Sequence, residues 1–262
     1  MSATESPILT EQKDTILTIT LNRPKVNAFN LEMTDALQEV LKKAQREARI
    51  RAVILTASGN VFSAGQDITE VKEAEDTSFR YHLQHTYNPL ILQIRRLEKP
   101  VLAAINGAVS GAALGIVLAC DLRIAAEHAR FVVGFSGIGL APDSAVSLLL
   151  PVLVGLGRAA EFTYANTPIS AEQALSVGMV NQVVPASEVL NKATEWAARL
   201  AQGSQLAFGL TKRAFNRAVL GNLEQVLDYE AHLQDIAGHS EAHKEGVRAF
   251  LEKRTPRFID YS

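Results

Sequence analysis

The long segment from Lys99 to Ala160 holds only three acidic side chains, Asp121, Glu127 and Asp143. Asp121 directly follows an apolar run and Glu127 adjoins His128 and Arg130, which marks both as surface groups. Asp143 is placed differently. It sits in the nearly uncharged run Gly137-Ile138-Gly139-Leu140-Ala141-Pro142-Asp143-Ser144, just ahead of an apolar helical pattern. Burial in such surroundings raises a carboxyl pKa and makes the carboxylate a stronger base. An aspartate after proline and before a helix is also an ordinary N-cap, and spacing alone leaves both roles open.

A base needs an acceptor for the charge it creates, and two turns offer one. Ser63-Ala64-Gly65-Gln66-Asp67-Ile68 follows the apolar run Ala52 to Thr56, and Asn106-Gly107-Ala108-Val109-Ser110-Gly111-Ala112-Ala113-Leu114-Gly115 follows Val101 to Ile105. Each run reads as a strand and each turn leads into a helical pattern. Small residues at such a junction leave backbone N–H groups uncovered, so two adjacent strand ends can aim two amides at one oxygen. That is what a thioester enolate requires.

Other motifs carry less. His239 and His243 share a helical face, but Glu241, Lys244 and Glu245 around them point to a solvated surface and no metal site is expected. His82 and His85 read as helix-surface residues, with a pocket-facing role open for one of them. Gly155-Leu156-Gly157 lacks the third glycine and the strand of a dinucleotide fingerprint, and no Walker phosphate loop is present.

The elements that must position these groups form an α/β series. Strand patterns at Ile16 to Leu21, Arg51 to Ala57, Val101 to Ile105, Leu122 to Ala125 and Phe131 to Val133 alternate with helices over Leu31 to Arg49 and Ser78 to Leu97. A charged segment, Glu70 to Asp76, precedes the second helix. Beyond about Ser144 only Val180 to Val184 reads as strand, and helical patterns dominate to Arg254. We divide the chain into an α/β core over residues 1–200 and a helical region over 201–262, with no Gly/Ser/Pro-rich linker to separate them. With 262 residues, 47% of them hydrophobic, the chain can bury a large core. A net charge of −2 gives no general attraction to nucleic acid or an anionic membrane. The single Cys120 excludes an internal disulfide, lies in an apolar run and fits a reducing cytoplasm. The start of the chain is not signal-like, and the longest apolar run, Ala112 to Cys120, is too short to cross a bilayer.

Several ordered motifs together resemble a known family. Leu21-Asn22-Arg23-Pro24-Lys25-Val26-Asn27-Ala28, Phe62-Ser63-Ala64-Gly65-Gln66-Asp67-Ile68, Lys99-Pro100-Val101-Leu102-Ala103-Ala104-Ile105-Asn106-Gly107, and Ala171-Glu172-Gln173-Ala174 with Gly178-Met179-Val180 look like the crotonase, or enoyl-CoA hydratase/isomerase, superfamily. The resemblance implies a spiral of ββα units, a helical trimerisation region, a homotrimer or a dimer of trimers, and a coenzyme A thioester substrate. It implies the oxyanion amides of Gln66 and Ala112, and no cofactor beyond the coenzyme A of the substrate. It implies that Arg23 and Lys25, with Phe250 and Lys253 of a neighbouring subunit, hold the CoA phosphates and adenine. Val26, Ala64, Asp67, Ile68, Phe135 and Leu140 complete the implied substrate-binding set.

Departures from the family pattern direct the chemistry. Where hydratases of this superfamily carry two glutamates, this chain has Gly115 and Phe135. Asp143 matches the aspartate of ring 1,2-epoxyphenylacetyl-CoA isomerases and the nucleophilic aspartate of 4-chlorobenzoyl-CoA dehalogenases. The dehalogenase's tryptophan and histidine are replaced by Phe135 and Asn88. The resemblance therefore implies an isomerase acting through one aspartate. A hydratase, a dehalogenase-like hydrolase and a non-catalytic CoA-thioester scaffold are the alternatives.

Overall fold

The computed structural model describes residues 6–68 and 78–261; the charged segment Glu70 to Asp76 lies outside them. Among the described residues, ten strands form two sheets. The larger has six strands in the order β1 (Ile8–Lys13), β2 (Ile16–Leu21), β3 (Ala52–Ala57), β5 (Val101–Ile105), β7 (Leu122–Ala126) and β10 (Gln182–Val184). The smaller has β4 (Val61–Ser63), β6 (Ala108–Ser110), β8 (Arg130–Val132) and β9 (Ile169–Ser170). Only β1–β2 and β8–β9 are antiparallel. β3 and β5 are buried along their whole length, as parallel strands covered on both faces must be, and they accordingly read as unbroken apolar runs.

The spiral follows from this pairing. β3, β5 and β7 each lie in the large sheet, and the chain after each turns into a short strand of the small one: β4, β6 and β8. β4 pairs parallel with β6, Ser63 opposite Val109, so the turns leaving those two strands are neighbours. Helix α4 (Ala112–Ala119), which leaves β6, is buried at every position. Its alanines and glycine let sheets and helices approach closely.

Helix α1 (Leu31–Arg46) starts where the Asn30 side chain accepts the Met33 N–H, and buries the stripe Met33, Leu37, Leu41 and Ala44. The expected single helix over Ser78 to Leu97 is instead two, α2 (Phe79–His85) and α3 (Tyr87–Arg96), broken at Thr86. Pro89 is the cause. It lacks an N–H and its ring would meet the carbonyl of His85, so the first helix must stop there and Pro89 sits in the first turn of the next. β1 was not anticipated, because Thr10, Glu11, Gln12 and Lys13 are exposed on an edge strand and show no apolar alternation.

The remaining helices are α5 (Val146–Val154), α6 (Leu156–Ala165), α7 (Ala171–Ser176), α8 (Val189–Gln202), α9 (Gln205–Val219), α10 (Leu223–Gly238) and α11 (Glu241–Glu252). α10 packs along α2 and α5, and α11 on the turn of residues 136–138. Among the described residues no helix is long and apolar enough to cross a membrane.

Candidate active site

The first turn is braced by its own neighbourhood. Phe29 N–H donates to Gly65 O at 2.8 Å and Asp67 N–H to Phe29 O at 2.9 Å, so this ladder passes over the Gln66 N–H between them. Ser63 Oγ donates to Asn27 O and accepts the Gly65 N–H, while Asn27 Nδ2 holds Ser58 O and Val61 O. Gly65 has φ +88, and a Cβ there would lie 2.7 Å from Ser110 O. Only glycine permits both the conformation and the contact. That contact brings the first turn against the second, where Ala112 opens α4 and its N–H has no acceptor within the helix.

Gln66 and Ala112 both border one cavity of about 350 Å³, and Asp143 borders it too. Asp143 is buried. Ser144 Oγ donates to Oδ1 at 2.7 Å and Gln234 Nε2 to Oδ2 at 2.6 Å. Burial raises its pKa to about 6, against the lowering effect of the Gln234 and Ser144 hydrogen bonds. The capping role is not the one it plays. The N-cap of α5 is Ala145, and no side chain of the local sequence caps that helix. The cap comes from far away: Glu230 on α10 accepts Ala145 N–H at 2.8 Å, Ser147 N–H at 3.0 Å and the Ser147 hydroxyl. Burial pushes the Glu230 pKa up to about 7.

Gly115 has a structural partner of its own. A Cβ at that position would lie 2.2 Å from Ser144 O, so the turn that carries Asp143 rests on bare helix backbone. A side chain of any kind at residue 115 would have to displace it.

Of the remaining implied substrate residues, Ala64, Ile68, Phe135, Leu140 and Phe250 line the cavity. Phe250 lines the cavity of its own chain, where α11 folds back over the 136–138 turn. Arg23 and Asp67 face one another as an ion pair at 2.7 Å, and Arg23 also donates to Ala28 O. Lys25 and Val26 are exposed beyond the cavity lining, as is Lys253 at the end of α11.

Two histidines are in the cavity wall: His243, expected on a solvated face, and His82, for which, with His85, a pocket-facing role was open. His82 Nε2 lies 3.0 Å from Gln66 Oε1, which also accepts the Tyr87 hydroxyl. Burial lowers the His82 pKa. His243 is buried, stands edge-on to Phe79 and donates from Nδ1 to Ile138 O at 2.7 Å. Burial lowers its pKa too, opposed by that hydrogen bond. His239 remains exposed. Helical spacing around His243 hid the fact that Gly246, one turn on, lets α11 press onto Ile138. Asp121 is also no plain surface group. It pairs with Arg95 at 3.1 Å and with buried Lys212 at 2.7 Å and accepts Val101 N–H, pinning the start of β5. Cys120 is buried as expected, its thiol pushed up to about 12 chiefly by desolvation. Among the described residues no three or more His, Cys, Asp or Glu side chains are arranged to hold a metal ion.

The enoyl-CoA hydratase/isomerase family model matches residues 11–261. The chain belongs to this family. Its structure superimposes on an enoyl-CoA hydratase of Mycobacterium avium subsp. paratuberculosis with a TM-score of 0.87 at 31% identity, covering 96% of this chain and 98% of that one. That establishes the crotonase fold, the ββα spiral with its helical C-terminal region. The chain is 39% identical over 256 residues to the 1,2-epoxyphenylacetyl-CoA isomerase of Escherichia coli, covering 96% of this chain and 97% of the relative. It is 40% identical over 249 residues to a probable enoyl-CoA hydratase of Rhodobacter capsulatus, covering 95% and 96%. As a member of this family it is an acyl-CoA enzyme of the hydratase/isomerase type, and overall similarity does not divide one activity from the other. The site must do so.

Proposed function

We propose that the protein is an acyl-CoA isomerase in which Asp143 alone moves the proton. The observation that carries this reading is that Asp143 is the one carboxyl group among the described residues lining the cavity, beside the two amide-bearing turns. The thioester oxygen sits between the Gln66 and Ala112 N–H groups. Asp143 breaks a C–H bond next to the thioester carbonyl and takes the proton, and the electron pair moves onto the oxygen as an enolate. The proton returns from Asp143 to the γ carbon, and the double bond shifts into conjugation. A carboxyl raised to about 6 suits both halves of this cycle near neutral pH. For a ring epoxide the same carboxylate assists isomerisation to an oxepin. The chemistry calls for no group beyond the coenzyme A of the substrate.

Hydration needs a second carboxyl group to activate water, and Gly115 and Phe135 occupy the two positions from which glutamates would supply it. Arg23, Lys25 and Lys253 are the cations proposed to meet the CoA phosphates. The exposed apolar residues Leu206, Leu210, Phe215 and Val219 on α9 support assembly into a homotrimer, alone or as a dimer of trimers.

The test compares two reactions of one preparation. Isomerisation of a 3-enoyl-CoA is expected to exceed hydration of crotonyl-CoA by roughly a hundredfold or more in kcat/KM, the scale that one proton-transfer group contributes. Efficient hydration without isomerisation overturns the reading.

A further inference from the structure

Ser144 and Ala145, the two residues after Asp143, both have left-handed backbones, with φ of 55 and 62. Neither is glycine, and two such residues in succession persist only where their surroundings hold them. On one side the turn rests on Gly115, whose missing side chain makes room for Ser144 O. On the other side lies α10. Glu230 and Gln234 stand one helical turn apart on that helix, so both face the same way. Gln234 grips the Asp143 carboxylate itself. Glu230 grips the backbone behind it, with one oxygen on Ala145 N–H and the other on Ser147 N–H and Oγ. Both side chains are buried, Glu230 to 2% and Gln234 to 1% exposure.

We infer that Glu230 is a positioning residue for the reaction: by holding Ala145 and Ser147 it fixes the left-handed turn that presents Asp143 to the cavity. Three donors converge on this one carboxylate although it touches no substrate-lining surface, and none is supplied by a residue near it in sequence. Replacing Glu230 puts an amide N–H2 against at least one of those donors, so the turn loses an anchor while α10 keeps its shape. This assignment rests on the proposed role of Asp143, and its readouts are chosen to separate the two.

The experiment compares Glu230→Gln, Ala145→Gly and the double variant. Glu230→Gln is expected to lower kcat for 3-enoyl-CoA isomerisation about tenfold or more while KM stays within about twofold, because the amides that bind the thioester are untouched. Adding Ala145→Gly is expected to return a large part of that loss, since glycine holds a φ near +60 without help. Loss of activity only in proportion to unfolded protein, or no recovery with Ala145→Gly, overturns the assignment. If Glu230→Gln does not fold, Ser147→Ala removes one of the three donors and is expected to lower kcat a few-fold at unchanged KM; no change in kcat overturns the assignment. If the wild-type protein isomerises no thioester, the proposed function fails, and the clamp is still read from amide hydrogen exchange. Ala145 and Ser147 are expected to exchange at least tenfold faster in Glu230→Gln while the rest of α5 is unchanged, and equal protection in both proteins overturns it.

Discussion

The turn that exposes the Gln66 amide is braced by Phe29, Asn27 and Ser63, residues of the same first strand-and-turn unit of the spiral. The turn that carries Asp143 is braced by Glu230 and Gln234, which lie 85 and 91 residues further along the chain. The two halves of one cavity are thus built differently. The oxyanion side joins the turns of two successive ββα units, each set by glycine conformation and strand pairing. The proton-transfer side exists only once α10 has packed across the core. Chemistry on this scaffold can therefore change at the Asp143 side without disturbing the amides that hold the thioester.

Replacing Asp143 by Asn tests the base side and is expected to have the largest effect. Turnover should fall by about 10²–10⁴-fold, the usual contribution of a positioned acid or base. The folded-state pKa of Asp143 is raised, so its contribution to stability is full below the unfolded value and is lost as pH rises through about 6. Asp143→Asn should consequently melt no lower than wild type at pH 8. In the wild-type protein kcat/KM should rise with pH through about 6 as the carboxyl loses its proton. A melting temperature that drops while activity survives would make Asp143 a structural residue.

Ala112→Pro addresses the oxyanion side. Proline is tolerated at the first position of a helix, and it removes the N–H that the account assigns to the enolate. A fall in kcat of about 10²–10³-fold in a folded protein is expected, the cost of deleting one such donor. Unchanged turnover would remove Ala112 from the site.

Gly115→Ala presses on the contact between the two sides, since its Cβ would lie 2.2 Å from Ser144 O. Overpacking of this kind typically costs about 1–3 kcal/mol, and a melting temperature several degrees lower is the expected outcome by calorimetry. An unshifted transition would show that the Asp143 turn yields freely at Ser144, contrary to the tight seat described here.

How much of this was legible in the sequence follows the same division. The two turns could be located because small residues after short apolar runs are local signals, and β3, β5 and α4 follow directly from those runs. The cap on α5 could not be found, since the obvious local candidate, Asp143, is turned away from the helix and toward the cavity, and the group that replaces it arrives from α10. His82 and His243 were hidden for a related reason: each sits on a short amphipathic helix whose polar-looking face is covered by another element, Gln66 and the adjoining Tyr87 in one case and the distant Ile138 in the other. Arg23 and Asp67 show the reverse: two charges that the sequence places in separate motifs face each other as an ion pair, with Arg23 still partly exposed.

The central claim is that a single carboxyl group both removes and returns the proton, and the fate of the label tests it most directly. A 3-enoyl-CoA deuterated at the α carbon, turned over briefly in ordinary water, should give a 2-enoyl product carrying part of that deuterium at the γ carbon, delivered to the face from which it was taken. A product whose γ hydrogen comes entirely from water and enters from the opposite face would contradict the account, because it would require a second proton donor across the cavity from Asp143.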